Sequence, residues 1–111
     1  AQRLVKCYTA LVEGQLYTGQ SVGDYAELLG VTATHLSRCC NVTCNRSASD
    51  LLQDRLTYEA RRLLLETRLP VRQVAEVLGF RSAAYFTRAF QRRTGQTPTL
   101  FRSSRGDRPL V

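Results

Sequence analysis

The sequence has no stretch of about 18 consecutive apolar residues, the length a helix needs to cross a bilayer, and no basic segment leading into an apolar one at its start. Membrane-spanning and secretory readings are set aside on that ground, and the expected compartment is the cytoplasm. Histidine occurs once, as His35, and the chain carries neither a glycine-rich phosphate loop nor a convincing pairing of nucleophile and base. Little is left to run catalysis, so an enzyme is not expected. Methionine is absent altogether and the chain opens on Ala1. The expectation is a piece of a longer protein, with any effector bound by a missing N-terminal region. Acidic side chains are scarce as well, nine against sixteen Lys and Arg, for a net charge of +7.

What is present fits one compact domain. A length of 111 residues with 43% hydrophobic and 23% charged residues suffices for a core of moderate size and is unlike a disordered chain. The charge is unevenly spread. Residues 1–50 hold four basic side chains (Arg3, Lys6, Arg38, Arg46) and four acidic ones (Glu13, Asp24, Glu27, Asp50), so the excess lies in residues 51–111, with twelve arginines against five acids. Arginine in excess suits phosphate contact, although a solvated surface would carry the same composition. Four cysteines, Cys7, Cys39, Cys40 and Cys44, stand with His35 one helical turn before Cys39. Structural zinc uses paired Cys-x2-Cys or His-x3-His elements, whereas adjacent Cys39 and Cys40 point in different directions on a helix. No metal and no cofactor is expected, and a core of this size needs no disulfide framework.

An internal repeat organises the chain. Val22-Gly-Asp-Tyr-Ala-Glu-Leu-Leu-Gly-Val31 parallels Val71-Arg-Gln-Val-Ala-Glu-Val-Leu-Gly-Phe80 at an offset of 49. After one extra residue in the second copy, Leu36-Ser-Arg-Cys-Cys40 aligns with Phe86-Thr-Arg-Ala-Phe90 at an offset of 50. Each copy begins with apolar residues at helical spacing: Val22, Tyr25, Ala26 and Leu29, answered by Val71, Val74, Ala75 and Leu78. Gly30 and Gly79 follow, where a helix end needs positive φ, and open a short turn. Thr32 and Ser82 then cap a second helix, with Leu36 and Cys40, or Phe86 and Phe90, as its inward stripe. Asn45 and Gly95 end it, both tolerant of the left-handed region.

Between the copies, Ser47-Ala-Ser-Asp50 reads as a capping box opening a long helix to about Arg68, with Leu52, Leu56, Ala60, Leu63 and Leu64 on one face. Some 20 residues at about 1.5 Å each make a rod of about 30 Å, close to the roughly 34 Å between successive major-groove faces of DNA. An N-terminal helix with Leu4, Val5, Tyr8, Leu11 and Val12 inward, and a short helix opened by Thr97-Pro98, complete the expected fold. That fold is all-α, about seven helices forming two helix-turn-helix subdomains joined by a connector. Its divisions are 1–46, 47–68 and 69–102, with 103–111 expected to be a disordered tail.

In such a unit the second helix enters the major groove and its exposed N-terminal residues meet base edges. Removing the inward positions leaves Ala33, Thr34, Ser37, Arg38 and Asn41 in the first copy, and Ala83, Ala84, Thr87, Arg88 and Gln91 in the second. Arg38 and Arg88 match. Arginine bonds guanine at two points, hydroxyls bond bases or phosphates, and small methyl groups touch the thymine methyl. Arg81, Arg92, Arg93 and Arg102 flank the second reading helix and are the expected DNA-backbone contacts. Arg55, Arg61 and Arg62 are weaker candidates, since Asp54, Glu59 and Glu66 lie within pairing distance along the connector.

The stretches Arg55-Leu-Thr-Tyr-Glu-Ala60, Val74-Ala-Glu-Val-Leu-Gly-Phe80, Tyr85-Phe-Thr-Arg-Ala-Phe90 and Thr94-Gly-Gln-Thr-Pro98 resemble the signature of the AraC/XylS family of bacterial transcription regulators. The resemblance covers about residues 20–102 and is specific in the second half. It implies sequence-specific binding to double-stranded DNA through two adjacent major-groove segments, with RNA polymerase as a further partner and the nucleoid as the site of action. Carried over by position, the family's base contacts fall on Thr34, Ser37 and Arg38, then on Ala83, Ala84, Thr87 and Arg88. Cys40 stands where the family has a large aromatic, Asn45 replaces a glycine, and Ala84 replaces a longer polar residue; the first substitution predicts a loosely packed first unit. Two alternatives compete: a helical module docking its basic face to the transcription machinery, and a reactive thiol in a DNA-repair protein. Salt-dependent, sequence-selective duplex binding separates the first from the family reading, and thiol alkylation by damaged DNA would reveal the second.

Overall fold

The computed structural model describes residues 1–106, and side chains as far as Ser104. Among the described residues all regular structure is helical: α1 (Gln2–Gly14), a single 3-10 turn (Leu16–Thr18), α2 (Val22–Leu28), α3 (Ala33–Cys44), α4 (Ala48–Glu66), α5 (Val71–Val77), α6 (Ala83–Thr94) and α7 (Pro98–Gly106). No helix among these residues is long and apolar enough to cross a membrane. The chain divides into two compact units, Ala1–Leu56 and Thr57–Val111, the boundary falling inside α4.

The first unit is closed by α1. Val5, Tyr8 and Val12 recur at helical spacing and are its buried face, while Leu4 and Leu11 on the stripe's edge are half-covered. Ser21 opens α2 with a full capping box, its hydroxyl accepting from the Asp24 amide and the Asp24 carboxylate accepting from the Ser21 amide. Gly30 then turns the chain at φ +73°, and Thr32 Oγ1 accepts the His35 amide to start α3. Asn45 ends α3 in the left-handed region, φ 56°. Tyr8 and Tyr25 meet edge to face at 5.7 Å between ring centroids, and the Tyr8 hydroxyl donates to the Ala48 carbonyl at 2.6 Å. Burial pushes the Tyr8 hydroxyl well above the ordinary phenol value and raises that of Tyr25 as well.

Cys40, from which looser packing is expected, is shielded from solvent in the first unit. Cys40 is fully covered, and Tyr8 of α1 brings aromatic bulk beside it, from a helix to which the repeat assigns no counterpart in the second unit. Burial, then the neighbouring Cys44 and Cys39, raises the Cys40 thiol above its ordinary range, away from the thiolate form in which cysteine reacts.

The second unit is built on a chain of rings. Phe80 meets Phe86 at 5.1 Å, Phe86 meets Phe90 at 5.8 Å, and Phe90 meets Phe101 of α7 at 5.5 Å. Val74, Ala75 and Leu78 of the α5 segment and Ala60, Leu63 and Leu64 of α4 are buried in the same unit. Gly79 makes the turn at φ +80°, and Ser82 Oγ accepts the Tyr85 amide to open α6. Among the described residues Glu59 is a charged side chain buried in the core, and Arg62 holds it at 2.7 and 3.1 Å.

Two ends differ from the sequence reading. α4 stops at Glu66, two residues short of Arg68, because Thr67 Oγ1 turns back to the Leu63 carbonyl and Leu69 precedes Pro70, which disfavours helix there. α7 continues to Gly106, through residues expected to begin a disordered tail at 103. No proline or glycine interrupts it before Gly106, and Ser104 Oγ both donates to the Phe101 carbonyl and accepts from Gln96 Nε2. The rest of that expected tail, residues 107–111, lies outside the described residues.

Candidate nucleic-acid interface

α3 and α6 are twelve-residue helices of the same design, each opened by a hydroxyl cap, buried on one stripe and closed by a left-handed residue. Burying Leu36, Cys39 and Cys40, or Phe86 and Phe90, turns the opposite stripe outward. On α3 that stripe, with Val22 of α2, lines an open groove of about 470 Å³ formed by Ala33, Thr34, Ser37, Arg38 and Asn41. Thr34 and Arg38 are exposed. Ser37 is half-buried, its hydroxyl oxygen accepting the Ala48 amide at 3.3 Å, so it joins α3 to α4 while facing the groove. Asn41 Nδ2 donates to the Ser37 carbonyl at 3.1 Å. Val22 was missed as a groove residue because helical periodicity placed it inward.

On α6, Ala84, Arg88 and Gln91 are exposed and Ala83 and Thr87 are half-covered. The guanidinium groups of Arg38, Arg88 and Arg92 have no hydrogen-bond or carboxylate partner among the described residues.

The flanking arginines separate into two kinds. Arg81 lies over the Tyr85 ring, its guanidinium carbon 5.1 Å from the centroid. Arg92 and Arg93 sit in the last turn of α6, where cations also favour the negative helix end; Arg92 is exposed and Arg93 half-buried. Arg102 is half-buried with Nε donating to the Leu64 carbonyl at 3.0 Å, so it satisfies one of the open carbonyls at the end of α4 and ties α7 to it. The weaker candidates are committed elsewhere. Arg62 pairs with Glu59 and Glu66, Arg55 forks onto Glu13 with its second bond at 3.0 Å, and Arg61 lies 5.9 Å from the Phe101 ring centroid. Among the described residues no group of three or more His, Cys, Asp and Glu is placed to hold a metal. His35 and Cys39 do meet, Nε2 to Sγ at 3.7 Å, as a pair only.

Residues 25–104 match the model of a family described as a helix-turn-helix domain, of AraC type. The chain belongs to the AraC-type helix-turn-helix family. It is 38% identical over 80 residues to an uncharacterized HTH-type transcriptional regulator, YfiF, of Bacillus subtilis (strain 168), covering 72% of this chain and 25% of that protein. The chain thus spans about a quarter of that relative's length. Among solved structures it is similar to the C-terminal domain of AraT, a response regulator from Geobacillus stearothermophilus, with a TM-score of 0.86 at 27% identity over 97% of this chain and 88% of that one. The DNA-binding domain of AdpA, a global transcriptional factor solved in complex with a target DNA, shares the fold with a TM-score of 0.84 at 23% identity, covering 96% of this chain and 97% of that one.

Proposed function

We propose that this AraC-type domain binds double-stranded DNA with sequence preference, α3 and α6 each entering a major groove in adjacent segments of one site. The observation that carries the reading is the pairing of Arg38 with Arg88: equivalent positions of two equally capped helices, both exposed, neither engaged among the described residues. Thr34, Ser37 and Arg38 read bases from α3, and Ala83, Ala84, Thr87 and Arg88 read them from α6. Arg81 and Arg92 grip phosphates, Arg93 acts from the edge of that patch, and Arg102 supports α7 rather than gripping freely. AdpA, the related fold captured on a target DNA, supports the same mode of use. The domain carries out recognition, with no catalytic step. In regulators of the relatives' length, RNA polymerase contact would accompany DNA binding, an effector would be bound outside residues 1–111, and the place of action would be the bacterial nucleoid.

Selection of bound duplexes from a random pool tests this. The expected result is one enriched sequence with two separated blocks of preference. Recovery of unenriched DNA, or retention independent of salt, would overturn the reading.

A further inference from the structure

The turn before the reading helix is one residue longer in the second unit than in the first: Gly79-Phe80-Arg81-Ser82 stands against Gly30-Val31-Thr32. The additional residue is Arg81. Its guanidinium lies over Tyr85, and Tyr85 is 45% exposed, a large aromatic left at the surface on the first turn of α6. That ring is braced from behind, since Phe80 approaches it at 6.2 Å and Phe80 in turn packs on the buried Phe86. At the matching place the first unit has His35, its ring turned to Cys39, preceded by the uncharged Val31 and Thr32.

Stacking on a ring covers the apolar face of a guanidinium and leaves its N–H edge directed outward, which is the geometry that meets a phosphate with two parallel hydrogen bonds. At about 100° per residue along α6, Tyr85 and Arg92 fall together on one flank of the stripe of Ala84, Arg88 and Gln91. Arg81, Tyr85, Arg88 and Arg92 therefore form a row at spacings of four, three and four residues, with the base-reading arginine between two backbone-directed cations.

We infer that Arg81 and Tyr85 act as one phosphate clamp at the leading end of α6, a device the first unit lacks. The inference rests on the DNA-binding reading above and deepens it by naming Tyr85 as a positioning residue for Arg81. The chain is compared with Arg81→Ala, Tyr85→Ala, Tyr85→Phe and the Arg81→Ala/Tyr85→Ala double variant. Each is titrated at several salt concentrations with the selected duplex and with an unrelated duplex of equal length, and thermal melting reports the fold.

Arg81→Ala should weaken both duplexes by the same factor and lower the salt slope by about 0.9, the share of one phosphate on B-DNA. Tyr85→Ala should do the same to a smaller extent, and Tyr85→Phe, which keeps the stack, should keep the slope. The double variant should bind no more weakly than Arg81→Ala, because the ring acts through the guanidinium. An unchanged slope in Arg81→Ala overturns the clamp, as does a double variant whose losses multiply. Arg81 is exposed and in a turn, so its variant keeps the test valid if Tyr85→Ala melts early. Failure of the underlying reading looks different: the unaltered chain would then show no preference between the two duplexes.

Discussion

In the proposed mode of binding, Arg38 and Arg88 are the side chains on which recognition turns. Each is exposed on a reading stripe with its guanidinium uncommitted, so truncation removes a base contact and leaves the core untouched. Arg38→Ala and Arg88→Ala are each expected to weaken the selected site by about 1–3 kcal/mol and to relax preference at separate base pairs, read by competition titration with single-base variants. Wild-type affinity in both would remove α3 and α6 as readers. Tyr8 works at the same scale in the opposite sense, as a buried group whose neutral form is favoured by folding. Its hydroxyl is raised by burial above the unfolded phenol value of 10.0, so its contribution is complete below about pH 10 and is lost as pH rises beyond that. Tyr8→Phe should cost about 1 kcal/mol at neutral pH through the bond to Ala48 and should flatten the alkaline fall in urea-melt stability. Tyr25, raised for the same reason, leaves a remainder of that fall.

The elements owe their lengths to their ends. Thr32 and Ser82 open the reading helices with a side-chain acceptor, and Asn45 and Gly95 close them at φ 56° and 82°. Gly30 shows how far conformation alone decides a turn: a Cβ there would meet nothing within 4 Å, yet φ is +73°. Gly30→Ala should therefore destabilise the chain by about 1–2 kcal/mol, from the strain of the left-handed backbone and not from a clash with other parts of the fold, as measured by denaturant unfolding. A neutral result would mean that the turn relaxes out of the left-handed region. These caps, and the inward stripes between them, were legible in the sequence because each is a local matter of three or four residues. The short turn at Leu16–Thr18 was not, since Leu16 becomes buried only by tertiary packing.

At the scale of the whole molecule the two units share a plan and differ in charge and core. The first balances four basic and four acidic residues over positions 1–50 and packs tyrosines with a thiol; arginine excess and a phenylalanine chain mark the second. Grip on the DNA backbone should accordingly come from the second unit. Arg92→Ala is expected to weaken all duplexes alike and lower the salt slope by about 0.9, whereas Arg3→Ala and Lys6→Ala, exposed on α1, should leave the slope unchanged. Equal effects at Arg92 and at the two α1 sites would show that charge acts diffusely rather than through placed contacts.

The sequence by itself determined the seven helices, the repeated unit, the outward phase of Arg38 and Arg88 and the AraC-type resemblance, because helical period, caps and turn glycines are written within a few residues of one another. Tertiary structure decided what the local pattern left open about the cations. The Arg62–Glu59 pair is local to α4, at i and i+3, but Glu13 and the Leu64 carbonyl come to Arg55 and Arg102 only when helices pack. The same holds for Tyr85. Its place in a familiar motif marked it as part of a helix, and only the fold set it under Arg81 with Phe80 behind it.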